Sequence, residues 1–504
     1  MEGTAPLWRT QWSLWAWVLA GTVLRFAFGW SNSLWNTAPD QLAWGMGLDE
    51  LIANGTFTYK QLLHYPHEGG SFFISLLALL FTPLAGIMPP LSWAALALDT
   101  LSRIVQIQVA RSLFGDRTAT WFAAWTVFAA PVMLPWATVD FGLHALMSFA
   151  PFLLVHQATR RDRSPWMMGV CCGLLASLAY DVWVFAPAYL VWSLLGAGGP
   201  GAKLRGMGLF VFGSVMAFLP HLFVRTFVDH GFGLEDLSPT SIRGLEHEPI
   251  VWSAIPLKFW KVWSADFPAS FTLGPLDHAT VRIISLVIAV FIVMGLFAGL
   301  RSRTSSRGAL RLSVLTVVSF TVVLSVAPFF VARPDGQGYL YYRYFPFIAP
   351  LLVLVVLEGY GTVGRVSTWF RSAWVLGCGA CSVVYIMGTA PHTTPNFQAT
   401  GWVLARKYGD DPEHLIRILN TGSQDHRSDL YYGAGWGLSA ALFDRRNAQD
   451  EDVLNEFDTL WQHFPVKEYP LLKSGVLHAF DPGITPILDP GIRSIIEDRL
   501  MDRP

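Results

Sequence analysis

A succession of apolar stretches, most of them long enough to cross a bilayer, constrains this chain more than any other feature. A hydrocarbon core about 30 Å thick asks for ~20 apolar residues in a helix. Such stretches recur near residues 12–30, 93–112, 118–136, 141–158, 165–180, 182–197, 206–223, 281–300, 311–331, 340–361 and 372–391. Of the 504 residues, 53% are hydrophobic and 14% charged, against about 25% charged in a soluble protein. In lipid every backbone amide must be satisfied within its own segment or a closed sheet, and runs of this length satisfy themselves as helices. The expected fold is therefore an all-α polytopic membrane protein with about eleven transmembrane helices. Its first span, Trp12 to Trp30, follows a single basic residue, Arg9, and lacks a small-x-small cleavage site, so it reads as retained.

Basic residues fix the expected orientation. They gather at Arg111 and Arg117, at Arg160, Arg161 and Arg163, at Lys203 and Arg205, at Arg301, Arg303, Arg307 and Arg311, and at Arg365 and Arg371. The positive-inside rule places these turns in the cytoplasm. The N-terminus is then cytoplasmic, and the segments 32–92, 137–140, 224–280 and 332–339, together with the tail from 392, are external. A span over Ser71 to Met88 would invert every later basic turn. That run is instead expected as an apolar helix in the outer interface, stopped by Pro89 and Pro90. Two domains follow: a membrane domain over 1–391, with its large external loop at 32–92, and a small soluble domain over 392–504 at the outer face.

Composition also removes some functions. A formal net charge of −1 and the lack of a basic block give no field to gather a polyanion, so nucleic acid is not an expected partner. The four cysteines, Cys171, Cys172, Cys378 and Cys381, lie inside apolar runs and read as packing residues rather than as a zinc or redox pair. In the tail, Gly433, Gly435 and Gly437 form a G-x-G-x-G with no preceding strand, which reads as turn-rich structure rather than a nucleotide loop.

Residues able to do chemistry concentrate at the outer face. Asp49 and Glu50 are adjacent carboxylates opening a short helix in the first external loop, a pattern that suits a general base or a metal ligand. On these residues alone the plainer reading is a pair of helix N-terminal charges on a wet surface. His64 and His67, with Glu68, follow in the same loop, and the intervening Pro66 makes a shared metal less natural than solvated histidines. Asp140 stands where two apolar runs meet, and a carboxylate there must be hydrated, paired or metal-bound. Asp181 occupies the next outer turn. Asp99 and Arg103, four apart on one helix face, are expected to neutralise each other. Arg343 and Tyr344, in Tyr-Tyr-Arg-Tyr-Phe-Pro leading into a late span, sit where an arginine can hold a lipid phosphate or simply snorkel to the interface. Arg25, His221 and Arg225 add candidate donors on the same side.

Taken in order, these pieces resemble the GT-C superfamily of membrane glycosyltransferases, and within it the group similar to protein O-mannosyltransferases and aminoarabinose transferases. The likeness rests on four places spread over about residues 10 to 360. They are a first span ending near Arg25 and followed by Asp49-Glu50 and Tyr65-Pro66-His67-Glu68-Gly69-Gly70; the basic turn Ala110 to Arg117 leading through Pro131 to Asp140; the Gly-rich run from Gly169 to Val184; and Arg343-Tyr344-Phe345-Pro346. Asp181 stands where related proteins often carry Lys, and the proline-rich stretch of such proteins is reduced to Pro66. The resemblance implies transfer of a sugar from a polyprenyl phosphate to an acceptor on the outer side of the membrane, and this external chemistry, with the retained first span, is consistent with a bacterial inner membrane. It implies Asp49 as base, Glu50 as its support, Asp140 as a metal or substrate ligand, and Arg343 as holder of the departing phosphate, with His67, Glu68, Tyr344 and Arg225 as further substrate contacts. Mg or Mn would suit Asp49 and Asp140, but the chemistry does not demand one. Membrane lipid and the polyprenyl-phosphate donor are the expected partners. A secondary transporter or lipid flippase is the alternative from another class, and a non-catalytic scaffold with an external binding domain is a third.

Overall fold

The structure, a computed structural model, describes residues 7–32, 70–84, 90–138, 143, 145–160, 164–196, 198–227, 252–267, 271, 278–301, 307–326, 341–361, 367–389, and, with gaps, 401–501. It divides into two compact units: the described residues up to Thr389 fall in the first and those from Gly401 in the second. No strand occurs among the described residues.

In the first unit the helices are α1 (Leu7–Asn32), α2 (Gly70–Leu79), α3 (Pro90–Phe114), α4 (Asp116–Phe128), α5 (Ala150–Thr159), α6 (Pro165–Leu178), α7 (Phe185–Leu195), α8 (Pro200–Phe227), α9 (Ile255–Lys261), α10 (His278–Arg301), α11 (Arg307–Val326), α12 (Tyr341–Gly361) and α13 (Ser367–Thr389). Among the described residues four helical stretches are long and apolar enough to cross a membrane: Pro200–Phe223, Arg307–Val326, Tyr344–Gly361 and Ser367–Met387. Five further apolar stretches run 10–17 residues: Leu14–Trp30, Leu146–Thr159, Pro165–Leu178, Tyr180–Leu195 and Leu286–Arg301.

The apolar helices differ in what surrounds them. Most of α12 is sealed: Phe345, Phe347, Ile348, Ala349 and every residue from Leu351 to Leu357 are at most 1% exposed. A helix apolar all round belongs in the middle of a bundle. In contrast α8 and α10 leave rows of large apolar side chains open, among them Leu209, Phe212, Val215 and Phe223 on α8 and Ile283, Leu286, Val290 and Phe297 on α10. Patches of that size face lipid in a membrane protein.

Small residues decide the closest pairings. An added Cβ at Gly169 would lie 2.1 Å from the Phe210 carbonyl oxygen, and one at Gly173 would lie 2.2 Å from that of Ser214, so α6 and α8 meet backbone to backbone. Gly359 of α12 does the same against Gly295 of α10. Small residues four apart are the usual device for helix pairing where no hydrophobic effect drives association.

One expectation of the helix pattern changes. The runs 118–136 and 141–158 are not two long α-helices, since α4 stops at Phe128 and α5 starts at Ala150, with 3-10 turns at Pro131–Met133, Pro135–Ala137 and Leu146–Phe149 between them. Pro131 and Pro135 cannot donate a backbone hydrogen bond, and each opens one of these turns. The runs 165–180 and 182–197 are helical as expected, α6 ending at Leu178 and α7 beginning at Phe185, with Asp181 in the 3-10 turn between them. From Gly70, α2 has 10 residues, about 15 Å, too short to cross, and is followed by one 3-10 turn at Thr82–Leu84; Pro89, one of the two prolines expected to stop this run, lies outside the described residues.

In the second unit α14 (Pro412–Thr421), α15 (Arg427–Phe443), α16 (Glu451–Gln462), α17 (Tyr469–His478) and α18 (Pro490–Met501) enclose a core of their own that includes Leu415, Leu438, Phe457, Trp461, Leu472 and Ile496. The glycines expected in turns are helical. Gly435 and Gly437 lie inside α15, where an added Cβ would come within 2.2 Å of the Leu472 carbonyl oxygen and 2.3 Å of that of Trp402. Close approach of neighbouring backbones, not turn formation, explains this G-x-G-x-G. Burial, and then the nearby Glu468 carboxylate, push the Tyr431 phenol above its ordinary range.

Candidate functional site

One end of the first unit is defined by its basic turns. Arg117, in the first turn of α4, donates to Ser367 and Thr368 at the start of α13. Beside it Thr118 donates to Glu358 Oε2 at 2.7 Å, while Arg371 donates to the Thr118 hydroxyl at 2.9 Å and to the Leu357 carbonyl at 2.8 Å. Phe114 packs against the Leu310, Val314 and Val355 cluster. The α3–α4 turn, the start of α11, the end of α12 and the start of α13 therefore share one end, as positive-inside reasoning requires of segments on a common side.

Towards the opposite end lies a buried charge cluster. Asp99 accepts from Arg103 Nε at 2.9 Å and lies 3.1 Å from Arg25 Nε. Arg103 also donates to the Val18 carbonyl at 3.0 Å and the Thr22 hydroxyl at 2.7 Å. Arg25 donates to the carbonyls of Gly21 at 3.0 Å and Val127 at 2.9 Å. Arg25, Asp99 and Arg103 are 1%, 8% and 3% exposed. Two guanidiniums against one carboxylate leave one positive charge over within this trio. By helix rise, Arg25 sits about 10 Å from the end of α1 and Asp99 about 13 Å from the start of α3. The predicted Asp99–Arg103 pair is present, and Arg25, expected only as a loose donor, completes it. Its spacing from Asp99 in sequence gave no sign of the contact.

The same end carries aromatic clusters. Tyr180, in the 3-10 turn that follows α6, and His221 of α8 share a 2.8 Å hydrogen bond, with Phe218 and Trp183 against them. Asp181, half-buried, stands in the adjoining 3-10 turn Tyr180–Val184. At the start of α12, Phe345 packs on Phe267 at 4.7 Å and on Phe271 at 5.7 Å. Tyr344 is half-buried there. Arg343 lies in the first turn of α12 and Arg225 in the last turns of α8.

Asp49, Glu50, His64, His67, Glu68 and Asp140 lie outside the described residues. Thr138, two residues before Asp140, is buried against Gly29 of α1, four residues beyond Arg25. The segment leading to Asp140 is thus packed on the same helix that carries Arg25. Among the described residues no three His, Cys, Asp or Glu side chains gather as a metal site would need. The Tyr180–His221 pair and the Glu358–Arg371–Thr118 cluster were not anticipated, because each joins residues of different elements with no local spacing signal.

No family model and no curated protein sequence matches the chain. Two solved structures of ArnT from Cupriavidus metallidurans are similar to it, one in the apo state and one bound to undecaprenyl phosphate. In both cases the identity is 17%, the TM-score is 0.49, and the match covers 86% of this chain and 76% of the other.

Proposed function

We propose that this chain is a membrane glycosyltransferase that moves a sugar from a polyprenyl-phosphate donor to an acceptor at the outer face of a bacterial inner membrane. The observation that carries this reading is the position of the start of α12. The most deeply buried helix of the first unit carries Arg343, Tyr344 and Phe345 in its first two turns, at the end away from the basic turns. With those turns in the cytoplasm, that start lies at the outer membrane boundary, the depth of a lipid phosphate. Arginine is the residue suited to a phosphate there, since its planar fork can donate two parallel hydrogen bonds.

In the proposed reaction Asp49 takes the proton from an acceptor hydroxyl, and the acceptor oxygen bonds to the anomeric carbon of the sugar. The bond from that carbon to the phosphate oxygen breaks, and its electron pair leaves with the polyprenyl phosphate. A phosphate leaving group needs its charge stabilised rather than protonated, which is the task assigned to Arg343. Glu50 orients Asp49, while His67, Glu68, Asp140, Tyr344 and Arg225 complete the binding surface. If a divalent ion is used, Asp49 and Asp140 are its proposed ligands.

A transporter reading would take the buried trio as an ion-coupling site. Asp99 argues against it: two guanidiniums already engage this carboxylate, leaving it no free charge for a transported cation. The test of the transferase reading is sugar transfer from polyprenyl-phosphate donors by purified protein and by Asp49→Asn. Turnover in the wild type alone supports it; equal turnover in both removes Asp49 from the mechanism.

A further inference from the structure

The helical segment from Trp252 to Phe267 reverses the usual order of a surface helix. It begins as a 3-10 turn at Trp252–Ala254, continues as α9, and ends as a π-helical stretch at Val262–Asp266. Ser253, Pro256, Leu257, Trp260 and Ser264 are exposed at helical spacing and so form one stripe. At its centre Leu257 is 70% and Trp260 68% exposed, and Trp252, just before, is 71% exposed. The inward side holds Val262 and Phe267, which are 5% and 1% exposed. Lys258 and Lys261 stand half-buried beside the open stripe.

The depth of this segment follows from its aromatic contacts. Trp263 packs edge-on against Phe267 at 5.1 Å, and Phe267 packs against Phe345 in the first turns of α12. Those turns lie at the end of the first unit away from the Glu358–Arg371 cluster and the basic turns. The segment also packs against α11 and α10, both of which turn apolar side chains outward, Val322 and Val323 on the former and Ile283 and Leu286 on the latter.

We infer that residues 252–267 form an interfacial anchor that lies in the outer leaflet, with Leu257 and Trp260 at the boundary between headgroups and acyl chains. Open apolar side chains continuous with the lipid-facing helices require lipid as their cover, and indole rings favour that boundary. The flanking lysines match the negative charge of headgroup phosphates. Through Phe267 and Phe345 the anchor holds the start of α12, and with it Arg343, at the depth of a lipid phosphate. That last consequence rests on the transferase reading, whereas the anchor itself does not.

The experiment uses the full chain, with its four native cysteines replaced, in nanodiscs of phosphatidylethanolamine and phosphatidylglycerol. Spin labels are placed singly at Leu257→Cys, Trp260→Cys, Ser253→Cys and Ser264→Cys, with Ser428→Cys, exposed on the second unit, as the aqueous reference. Relaxation by oxygen should exceed relaxation by a water-soluble nickel chelate at 257 and 260, and the ratio should fall at least several-fold at 428. The two serine positions, on the same stripe, keep the test open if labelling at 257 or 260 unfolds the chain. Nickel access at the stripe equal to that at 428 overturns the anchor. Shielding from both reagents also overturns it, because protein rather than lipid would then cover the stripe.

Discussion

Asp99 is the residue on which the buried electrostatics of the first unit turn. It answers two guanidiniums, each of which also donates to backbone carbonyls that the helix ladder does not fully use. Asp99→Asn would leave Arg25 and Arg103 buried without a counter-charge, and removing one partner of a buried ion pair costs about 3–5 kcal/mol. The variant should lose most of its folded yield or melt well below wild type in detergent. Adding Arg103→Gln should recover part of that loss, because the second change removes one of the stranded charges. Melting curves of the single and double variants check this, and additive losses would contradict the coupling. A second prediction concerns Arg343: Arg343→Ala should raise the Michaelis constant for a polyprenyl-phosphate sugar about tenfold or more, the scale of a charge-assisted phosphate contact. An unchanged value removes the phosphate role. Of these contacts the sequence showed Asp99–Arg103, because helix periodicity brings residues four apart onto one face. It could not show Arg25 against Asp99, since that contact depends on how α1 and α3 pack.

At the scale of elements, helix pairing through glycine makes sharp distinctions between positions that look alike in sequence. Gly173 and Gly359 lie against neighbouring carbonyl oxygens, so any larger side chain must separate two helices. Gly377, inside α13, has open space around its Cβ position. Gly173→Leu and Gly359→Val should therefore abolish folded, monodisperse protein. Gly377→Ala should leave melting unchanged or raise it slightly, by at most about 1 kcal/mol of helix propensity. Size-exclusion profiles of the three variants separate these outcomes. Helix boundaries were less legible than helix existence. The apolar runs at 118–136 and 141–158 read as two spans because hydropathy is blind to backbone conformation, while Pro131 and Pro135 convert their junction to 3-10 turns. The glycines at 433, 435 and 437 misled for a related reason: glycine marks either a turn or a close approach, and only packing tells which.

For the whole molecule, polarity along the membrane normal connects fold with function. The start of α4, bearing Arg117, and the start of α13, bearing Arg371, meet at one end, and the starts of α3 and α12 lie at the other. A cysteine at Asp116 should be protected from a membrane-impermeant maleimide in right-side-out vesicles, and one at Ser428 should react. The reverse pattern would turn the proposed outer face inward. The broad class, a helical membrane protein with a separately cored tail, was legible because lipid imposes a coarse and repetitive pattern on sequence. The candidate catalytic carboxylates were legible only as residue types in an external loop, for catalysis requires geometry that spacing does not encode.

The central claim is that this chain transfers sugar from a polyprenyl phosphate with Asp49 as base. Its most direct test is to supply purified wild type and Asp49→Asn with a panel of radiolabelled polyprenyl-phosphate sugars and membrane extract as acceptor. The account predicts labelled product from the wild type with at least one donor and a loss of about a hundredfold or more in the variant, the scale of a general base. No transfer from any donor by demonstrably folded wild type would contradict the transferase reading.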